Sequence, residues 1–438
     1  MNRSLSRRSF LRSTSAAAAA PFVVPGRWRT SPNETLNVAC VGVGGMGGSD
    51  LASVSKGKNV RIAALCDVDA ARLGAAAQQH AEAKTFADYR VLLDEMGKDI
   101  DAVVVSTPDH MHGPVSLAAM SLGKHVYCQK PIAHNLRECR AMADMARDKK
   151  LITQMGTQIH GHAAYRTAVA TLRAGAIGKV REAHLWVSKS WAGPAAGRPE
   201  RSDPVPENLS WDLWLGVAPE RPYVQGAYHP AQWRGWMDFG SGTLGDMGCH
   251  IFDPVFSGLE LAAPISVVSR GPKHHAETFA GNGDVTYRFA PTAQTDGELT
   301  FRWTDGGAKK DVEKAQLPEG VGLPGAGSFL VGEKGVMVIP HWSAPRFYSE
   351  GQEIQVEVQE RESVDHYHEW TDACRGEGET STPFSYAGPL TEAVLAGVVA
   401  GRFPERELAW DSKALRFDDD EANACVGRTY RKGREVVR

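Results

Sequence analysis

The sequence contains Gly42-Val43-Gly44-Gly45-Met46-Gly47, between an apolar run at 36–43 and a helix-like segment. In such a turn Gly42 permits a tight bend, Gly44 lets the backbone approach a pyrophosphate, and Gly47 lets the helix pack on the strand. The amino terminus of the helix adds partial positive charge. The pattern predicts a dinucleotide-binding turn, and the alternative is a glycine turn without a ligand.

Asp67 lies twenty residues beyond Gly47, at the end of the next apolar run. A carboxylate at this position accepts hydrogen bonds from ribose hydroxyls and repels a 2′-phosphate. We therefore expect NAD as the cofactor rather than NADP, with Arg72 as the residue that could accommodate a phosphate.

Short apolar runs alternate with helix-like stretches in the first third of the chain. The runs are 36–43, 61–66, 102–106, 125–128 and 151–155. Continuous runs of Val, Ile, Ala and Leu are what a parallel sheet covered on both faces requires. This part is predicted to be a doubly wound α/β domain of the Rossmann type.

The pattern changes after Gly156. A helix is predicted over 164–174, and alternating runs follow at 180–190, 283–289, 297–303, 328–339 and 354–360. Alternation predicts an α+β domain with a large, mostly antiparallel, open-faced sheet. We divide the chain into a leader at 1–34, an NAD-binding Rossmann domain at 35–156, and a substrate-binding and oligomerisation domain at 157–438.

The leader carries a twin-arginine motif, Ser6-Arg7-Arg8-Ser9-Phe10-Leu11, before a weakly apolar run at 16–24. This run is too short to span a bilayer, so we interpret it as a removable signal peptide. The twin-arginine route exports folded proteins, so a bound cofactor can travel with its protein. We expect a periplasmic or otherwise extracytoplasmic location, and the alternative is an accidental Arg-Arg pair.

The composition excludes several classes of partner. With 42% hydrophobic residues the 438-residue chain can bury two cores, and its formal net charge is -3. This near balance of acidic and basic residues gives no positive electrostatic field that would attract nucleic acid or anionic membranes. The seven cysteines include no C-x-x-C pair, which argues against a disulfide framework and a zinc knuckle. We expect no nucleic acid and, in the mature form, no membrane as a partner.

Two further segments each follow or contain an apolar run: Ser106-Thr107-Pro108-Asp109-His110-Met111-His112 and Gly123-Lys124-His125-Val126-Tyr127-Cys128-Gln129-Lys130-Pro131. Both should end at the carboxyl edge of the parallel sheet, where ligands of such folds bind. The second half adds Gly245-Asp246-Met247-Gly248-Cys249-His250. Together with the glycine turn, these motifs resemble the glucose–fructose oxidoreductase/inositol dehydrogenase (Gfo/Idh/MocA) family over essentially the whole chain after the leader.

The resemblance implies an oxidoreductase with a Lys-Asp-His active site at Lys130, Asp246 and His250. Oxidation of a secondary alcohol needs a base for the hydroxyl proton, and His250 is the predicted base because histidine titrates near neutral pH. Asp246 precedes it by four residues on an expected helix, so both share one face. The alternatives are an ordinary helix pair and, for Lys130, a solvated turn residue.

The residues predicted to hold the cofactor come from the glycine turn and from the ends of the following strands. They are Gly42, Gly44, Gly45, Met46, Gly47, Asp67, Thr107, Pro108, His110, His112, Gln129 and Lys130. The family usually has Glu where this chain has Gln129, and an amide there can still bond a ribose but carries no negative charge.

A metal site is the rival interpretation of the second-domain motif. Asp246, His250 and Asp253 are spaced by four and three residues, and His160 and His162 lie elsewhere. We expect no metal, because a hydride acceptor makes a Lewis acid unnecessary.

An aromatic-rich segment leads into the Asp246 motif, and six of the eleven tryptophans fall between 186 and 236. Aromatic faces pack on the apolar face of a sugar ring, so we expect a carbohydrate or polyol substrate. The predicted substrate-binding residues are Tyr228, His229, Trp233 and Arg234. The alternative is a core or subunit interface, since Trp and Tyr are common there too. In the resembling family the open sheet face is often buried in an oligomer, and we expect a homodimer or tetramer.

Three classes of function remain. The first is an NAD(P)-dependent oxidoreductase acting on a secondary alcohol of a sugar, polyol or glycoside, with a tightly held cofactor because free NAD is scarce outside the cytoplasm. The second is a redox-neutral glycoside hydrolase, lyase or epimerase that works through a transient keto sugar. The third is a nucleotide-binding sensor without turnover.

Overall fold

The computed structural model describes residues 35–435, and the twin-arginine motif and the leader lie outside the described residues. Six parallel strands form the first sheet, in the order β3-β2-β1-β4-β5-β6. They are β1 (Leu36–Val41), β2 (Val60–Cys66), β3 (Lys84–Phe86), β4 (Ala102–Val105), β5 (His125–Gln129) and β6 (Thr153–Gly156).

Five helices connect these strands: α1 (Met46–Val54), α2 (Ala70–Gln79), α3 (Tyr89–Met96), α4 (His112–Ser121) and α5 (Leu136–Lys149). Every residue of β4 is buried, and alternate residues enter different cores. Val103 and Val105 belong to one core, whereas Ala102 and Val104 belong to another. This arrangement explains the uninterrupted apolar run, and the predicted doubly wound parallel sheet is confirmed.

The second sheet has ten strands in the order β14-β13-β12-β11-β7-β10-β9-β8-β15-β16. Its neighbours are antiparallel except β7 and β10, so the predicted mostly antiparallel sheet is also confirmed. The strands are β7 (Val180–Val187), β8 (Ser266–Ser269), β9 (Asp284–Phe289), β10 (Thr295–Asp305), β11 (Ala326–Gly332), β12 (Gly335–Pro340), β13 (Arg346–Ser349), β14 (Gln352–Glu353), β15 (Glu407–Asp411) and β16 (Arg416–Phe417).

Six more helices lie in the rest of the described chain: α6 (Ala163–Arg173), α7 (Trp211–Leu215), α8 (Gly242–Gly258), α9 (His366–Cys374), α10 (Phe384–Ala400) and α11 (Asp420–Asn423). The long helix α8 lies on the inner face, where the ring of Phe252 contacts Phe301 at 4.6 Å and Trp303 at 5.8 Å between centroids. From residue 35 to residue 435, none of the helices is long and apolar enough to cross a membrane.

The outer face of the large sheet is only partly open. Trp186, Phe329 and Tyr348 lie there in a small core, against which Leu317 and Leu323 pack. The chain therefore covers one part of this face with its own segment between β10 and β11.

Two predicted strands differ in the structure. The run 328–339 is a hairpin of two strands, β11 and β12, rather than one strand. The run 354–360 forms no strand. Backbone N–H groups of this run and of the next residue instead donate hydrogen bonds to side chains of helix α6. Gln359 N donates to Thr171 Oγ1 at 2.9 Å, and Arg361 N donates to Thr167 Oγ1 at 3.0 Å. The strands β3, β8 and β13 to β16 lie outside the predicted runs.

The last third of the chain also returns to the first domain. Helix α9 packs against α1, and the side chain of Trp370 is fully buried in the same core as Val38 and Val104. The division of the chain at residue 156 stays a prediction, and α9 is a part of the later chain that stabilises the earlier domain.

His366 begins α9 and is buried. Its Nε2 lies 2.9 Å from the carbonyl oxygen of Met155, so Nε2 is the protonated nitrogen that donates. Within the described residues Nδ1 has no partner. Burial lowers the pKa of His366 to about 4, whereas an unfolded histidine titrates near 6.5.

This difference in pKa predicts a pH dependence of stability. Because the unfolded chain binds the proton first, the stabilisation is complete above about pH 6.5 and is lost as the pH falls toward 4, at up to about 1.4 kcal/mol per pH unit. In urea unfolding between pH 7 and 5, we expect His366→Gln to reduce the loss of stability on acidification. The exposed His275 provides the control His275→Gln, and an equal slope in both variants would contradict this account.

Candidate active site

One cavity of about 640 Å³ is lined by residues from the domain of the parallel sheet and from the domain of the antiparallel sheet. Its wall contains the glycine turn after β1, Asp67 after β2, Thr107 after β4 and Lys130 after β5. These positions are the carboxyl ends of the parallel strands, as the rule for such sheets requires. Helix α8 contributes the opposite wall with Asp246 and His250.

The glycine turn is shaped by close backbone approaches. Gly42 has φ 81°, and a Cβ there would lie 2.7 Å from the carbonyl oxygen of Ser106. A Cβ on Gly47 would lie 2.0 Å from the carbonyl oxygen of Gly42, so only glycine lets α1 pack this closely. Gly45 differs, because a Cβ there would meet nothing within 4 Å. It precedes α1, whose amino terminus has no side-chain cap.

Asp67 is oriented by the backbone. Its Oδ2 accepts a hydrogen bond from Val43 N and its Oδ1 accepts one from Asp69 N, both at 2.9 Å. Burial raises the pKa of Asp67 against the opposing effect of these hydrogen bonds. Arg72 lies beside it, and its Cδ is 2.4 Å from where a Cβ on Gly44 would stand. The flexible Arg72 side chain therefore borders the face of the turn at Gly44.

The residues present fit a dinucleotide. Within the described residues, the hydroxyl of Thr107 is buried without a hydrogen-bond partner, and Thr107, Pro108 and Met46 all line the cavity. An unpaired hydroxyl, an uncapped helix amino terminus and a carboxylate are groups that NAD would satisfy with its amide, diphosphate and ribose.

Two histidines predicted to bind the cofactor are placed differently. His110 is fully buried beneath the wall, where its Nε2 lies 3.0 Å from the carbonyl oxygen of Trp214, and burial lowers its pKa to about 3. His112 lines the cavity, but its ring nitrogens lie 2.7 Å from the carbonyl oxygens of Thr107 and Pro131. The prediction is corrected for His110, which packs in the core. For His112 it stays a prediction, because this residue lines the cavity while its ring joins the ends of β4 and β5.

Gln129 lines the cavity, yet its amide nitrogen is used inside the protein. Nε2 donates to Oδ1 and Oδ2 of Asp50, at 3.0 and 2.9 Å. Asp50 also accepts hydrogen bonds from Ser106 Oγ at 2.6 Å and from Tyr367 OH at 2.9 Å. A ribose could bond only the Oε1 side of Gln129.

Asp246 is the centre of the predicted catalytic cluster. Lys130 Nζ lies 3.0 Å from Oδ1 and 2.7 Å from the backbone oxygen of Asp246, and Arg234 Nε lies 3.0 Å from Oδ1. Oδ2 accepts from Lys189 Nζ at 3.2 Å and from Trp191 Nε1 at 2.6 Å. The structure thus brings Lys130 and Asp246 into direct contact, from different domains.

The charges around Asp246 decide its ionisation. Burial alone would raise the pKa of Asp246, but the charges of Lys130, Arg234 and Lys189 outweigh burial and hold that pKa well below its usual value. The carboxylate is therefore ionised at any physiological pH.

His250 follows one turn later on α8 and lines the same cavity. Its Nδ1 lies 3.2 Å from Thr157 Oγ1, and no hydrogen bond to Nε2 is formed by any residue in the described range. Burial, and then the charge of Lys130, lower the pKa of His250 well below the usual value. His250 is a neutral imidazole with a free nitrogen, which is the state that a proton acceptor needs.

Arg234 and Trp233 are placed as predicted, on the cavity wall. The guanidinium carbon of Arg234 lies 4.2 Å from the ring centroid of Trp233 and 5.1 Å from that of Trp191. Sequence reasoning missed Lys189, Trp191 and Thr157 as site residues. The only available signal was the position of Lys189 and Trp191 at the end of the alternating run 180–190, which does not show that they reach Asp246.

The other two predicted substrate residues are placed elsewhere. Tyr228 is fully buried among aromatic rings and does not line the cavity, with Trp236 at 4.9 Å and Phe239 at 5.4 Å. That prediction is wrong, and the core alternative holds for this residue. His229 lines the cavity, but its Nε2 lies 3.2 Å from Asp69 Oδ2, which places it toward the Asp67 end.

The residues considered for a metal serve other contacts. Asp253 accepts from Tyr386 OH at 2.7 Å and lies 2.8 Å from His160 Nδ1. The part of the chain between residues 35 and 435 contains no group of three or more His, Cys, Asp or Glu side chains arranged to hold a metal ion.

Two domain models of one oxidoreductase family match the chain. The model for the NAD-binding Rossmann fold matches residues 36–157, and the model for the carboxy-terminal alpha/beta domain matches residues 182–300. Together they cover more than half of the sequence. The chain belongs to the Gfo/Idh/MocA oxidoreductase family, and its first domain is an NAD-binding domain, as the motifs predicted.

Curated relatives match over part of their length. The chain is 28% identical over 166 residues to levoglucosan dehydrogenase of Pseudarthrobacter phenanthrenivorans, covering 38% of this chain and 34% of that protein. It is 31% identical over 125 residues to inositol 2-dehydrogenase of Salmonella typhimurium, covering 28% of this chain and 37% of that one. The chain thus spans about a third of the length of these relatives.

Solved structures share the fold. The WlbA dehydrogenase of Bordetella pertussis, solved with NADH and UDP-GlcNAcA, matches with a TM-score of 0.62 at 16% identity, over 86% of this chain and 99% of that one. An aldose-aldose oxidoreductase of Caulobacter crescentus matches with a TM-score of 0.57 at 18% identity, over 86% and 100%. At this identity the likeness concerns the architecture.

The open backbone at Gly45 allows a test of the nucleotide site. Its φ of 57° and ψ of -121° lie outside the left-handed helical region that Asn and Asp tolerate. Gly45→Asn and Gly45→Asp therefore carry the same backbone strain, and Gly45→Asn is the control for that strain. The carboxylate of Gly45→Asp would face the diphosphate of NAD at the helix amino terminus. We expect its dissociation constant for NADH, measured by fluorescence titration, to exceed that of Gly45→Asn by on the order of tenfold. Equal constants would place the diphosphate elsewhere.

Proposed function

We propose that this protein is an NAD-dependent oxidoreductase that oxidises a secondary alcohol of a sugar, polyol or glycoside and holds its cofactor tightly. The observation that carries the proposal is the single cavity joining the glycine turn and Asp67 to Lys130, Asp246 and His250. Relatives named for inositol and levoglucosan support the substrate class.

The cavity wall suits a substrate with several hydroxyl groups. Lys130, Arg234 and Lys189 surround the Asp246 carboxylate, so donors and an acceptor alternate within a few ångströms. A polyol can satisfy both kinds of group, whereas an apolar alcohol would leave them unpaired. Trp233 adds aromatic surface to this wall, on which the apolar face of a sugar ring can pack.

The chain's own residues handle the proton of the alcohol. Bound NAD supplies the hydride acceptor. With Nδ1–H donated to Thr157 Oγ1, Nε2 of His250 keeps its lone pair and accepts the hydroxyl proton. Lys130 donates to Asp246 twice, and its third N–H is available for the substrate oxygen as negative charge develops there. Asp246 holds Lys130 in place and can also accept a neighbouring hydroxyl.

Tight retention of the cofactor is proposed together with export by the twin-arginine route to an extracytoplasmic, periplasmic location. With an association rate constant near 10⁶ M⁻¹s⁻¹, a dissociation constant of about 1 nM gives a residence time of about 10³ s, whereas 1 μM gives about one second. Only the longer time suits a compartment poor in free NAD. We favour NAD over NADP because Asp67 would face a 2′-phosphate.

A homo-oligomer, dimer or tetramer, is also proposed. Ile265 is 39% exposed next to β8, on the half of the large sheet that the 312–323 segment leaves open. Light scattering coupled to size-exclusion chromatography measures the mass directly.

Mass spectrometry of small molecules released from the denatured, purified protein tests retention. We expect NAD or NADH at close to one per chain. Incubation with sugars and glycosides then separates net oxidation, seen as accumulated NADH or as reduction of a second sugar, from the redox-neutral alternative, seen as a new sugar or free aglycone without NADH. A protein that carries and binds no pyridine nucleotide would contradict the proposal.

Removing either proton-handling side chain should abolish hydride transfer. We expect Lys130→Met and His250→Asn to lower the single-turnover rate by about 10²- to 10⁴-fold, with NADH binding changed by no more than a few-fold. Lys84→Met, on the exposed edge strand β3, is the control. The sensor interpretation predicts a different result. In that case the parent protein shows no turnover, and both variants respond to ligand as the parent does.

The depressed pKa of His250 predicts the pH profile. Because the basic form of His250 persists well below pH 6.5, kcat/KM for alcohol oxidation should stay level as the pH falls from 7.5 through 6.5 and decline only at lower pH. A steady-state pH profile with half-maximal activity at or above pH 6.5 would contradict the assignment of His250 as the base.

A further inference from the structure

An exposed tryptophan stands near the catalytic histidine without a role in the core. Trp342 follows β12, and its side chain is 51% exposed. Its backbone has φ 69°, in the left-handed region that bulky side chains rarely adopt. Strain of this kind persists where the surrounding structure enforces it, and it is concentrated at binding and catalytic sites. Burial of Trp342 does not account for it.

The indole stands between two imidazoles. The ring centroid of Trp342 is 5.2 Å from that of His162 and 5.6 Å from that of His341, both in edge-to-face geometry. His341 is anchored through Nδ1, which lies 2.9 Å from Tyr165 OH, and its ring centroid is 5.8 Å from that of His250. A row of rings therefore runs from the predicted base to an exposed surface.

The sheet register places this row beside the catalytic cluster. Gly327 of β11 pairs with Pro340 of β12, and Ala326 pairs with Val187 of β7. His341 N also donates to Ala326 O at 3.0 Å. Trp342 therefore follows β12 at the same edge of the sheet from which Lys189 and Trp191 follow β7. Adjacent strands are about 4.8 Å apart, so the two strand ends are separated by roughly 10 Å.

We propose that Trp342, with His162 and His341, forms a stacking subsite for a second sugar ring, so that the substrate is a disaccharide or larger glycoside rather than a free monosaccharide or small polyol. This rests on the function proposed above and makes its substrate class narrower. The oxidised ring binds at Asp246 and His250, and the neighbouring ring packs on the exposed indole.

The surrounding chemistry fits a sugar ring better than an apolar partner. An indole face packs on the C–H face of a pyranose, while the ring hydroxyls need donors and acceptors at its edge. Nδ1 of His162 accepts from Ala164 N, and Nδ1 of His341 is bonded to Tyr165 OH, so each ring offers its Nε2 to a hydroxyl. Burial lowers the pKa of His341 to about 4, which keeps this imidazole neutral. No carboxylate is within salt-bridge distance of either imidazole among the described residues.

The test compares sugars of one and two rings on the intact holoenzyme. Cellobiose, maltose and lactose are compared with glucose and galactose, for the parent protein, Trp342→Ala and Trp342→Phe. We expect a disaccharide to be preferred by the parent, and Trp342→Ala to raise its KM about tenfold with kcat and the monosaccharide KM unchanged. Trp342→Phe should restore most of the affinity. Leu122→Ala, at an equally exposed position (51%), is the control.

Binding is measured separately from turnover. Isothermal titration of the cofactor-loaded His250→Asn protein with the same sugars should show the same tenfold loss when Trp342→Ala is added. If no variant transfers hydride but the titration shows this loss, the proposed function fails and the subsite stands. If no disaccharide is preferred, or if Trp342→Ala affects both sugar classes equally, the subsite is overturned. A fall in molar mass in Trp342→Ala would also overturn it, because the indole would then be covered by a second copy of this chain.

Discussion

The ion cluster around Asp246 is the interaction on which the rest of the site depends. One carboxylate lies within 3.2 Å of the charged nitrogens of Lys130, Arg234 and Lys189, which come from the end of β5, from the aromatic loop and from the segment after β7. Burying such an ion group is unfavourable unless each charge is paired. The cluster therefore fixes how the parallel sheet, the antiparallel sheet and helix α8 sit around one cavity.

The same positive charge sets the protonation of His250. The three cations exceed the one carboxylate, and the charge of Lys130 adds to burial in lowering the pKa of His250. An ionised acid and a neutral base on one helix face, four residues apart, are thus two consequences of one charge distribution. In the reaction proposed above, this arrangement favours negative charge on a substrate oxygen and leaves the imidazole free to take its proton.

The resemblance to the family and the structure together explain Gln129. Asp50, fully buried in α1, accepts from the amide of Gln129, and burial raises the pKa of Asp50 while its hydrogen bonds oppose that change. A glutamate at 129 would face this carboxylate with a like charge. The amide of Gln129 instead donates to both oxygens of Asp50 and so links β5 to α1. Tyr367 of α9 donates to the same carboxylate, so the later chain also supports the nucleotide domain.

Sequence patterns predicted the elements whose structure depends on residues close together in the chain. The apolar runs and the glycine turn predict the Rossmann sheet because periodicity reports burial directly, and the spacing of Asp246 and His250 places both on one helix face. Lys189 and Trp191 could not be found, since their meeting with Asp246 depends on the packing of distant elements. Tyr228 failed for the same reason, because an aromatic residue has the same local signal in a core as in a sugar site. The run 354–360 has the alternating pattern of a strand, but its backbone forms hydrogen bonds with side chains of helix α6 rather than with a neighbouring strand.

The proposed retention of the cofactor sets a requirement on binding free energy. A dissociation constant of 1 nM corresponds to about 12 kcal/mol. Residues Gly433 to Glu435 line the cavity, and the ion pairs of Arg431 and Arg434 with Asp212 hold this segment in place. The Asp212 side chain is 62% exposed, and pairs of this kind contribute about 0–1 kcal/mol. Such ion pairs add little to the retention proposed above, which we assign to the cradle: the open backbone at Gly45, the oriented Asp67 and the unpaired Thr107 hydroxyl.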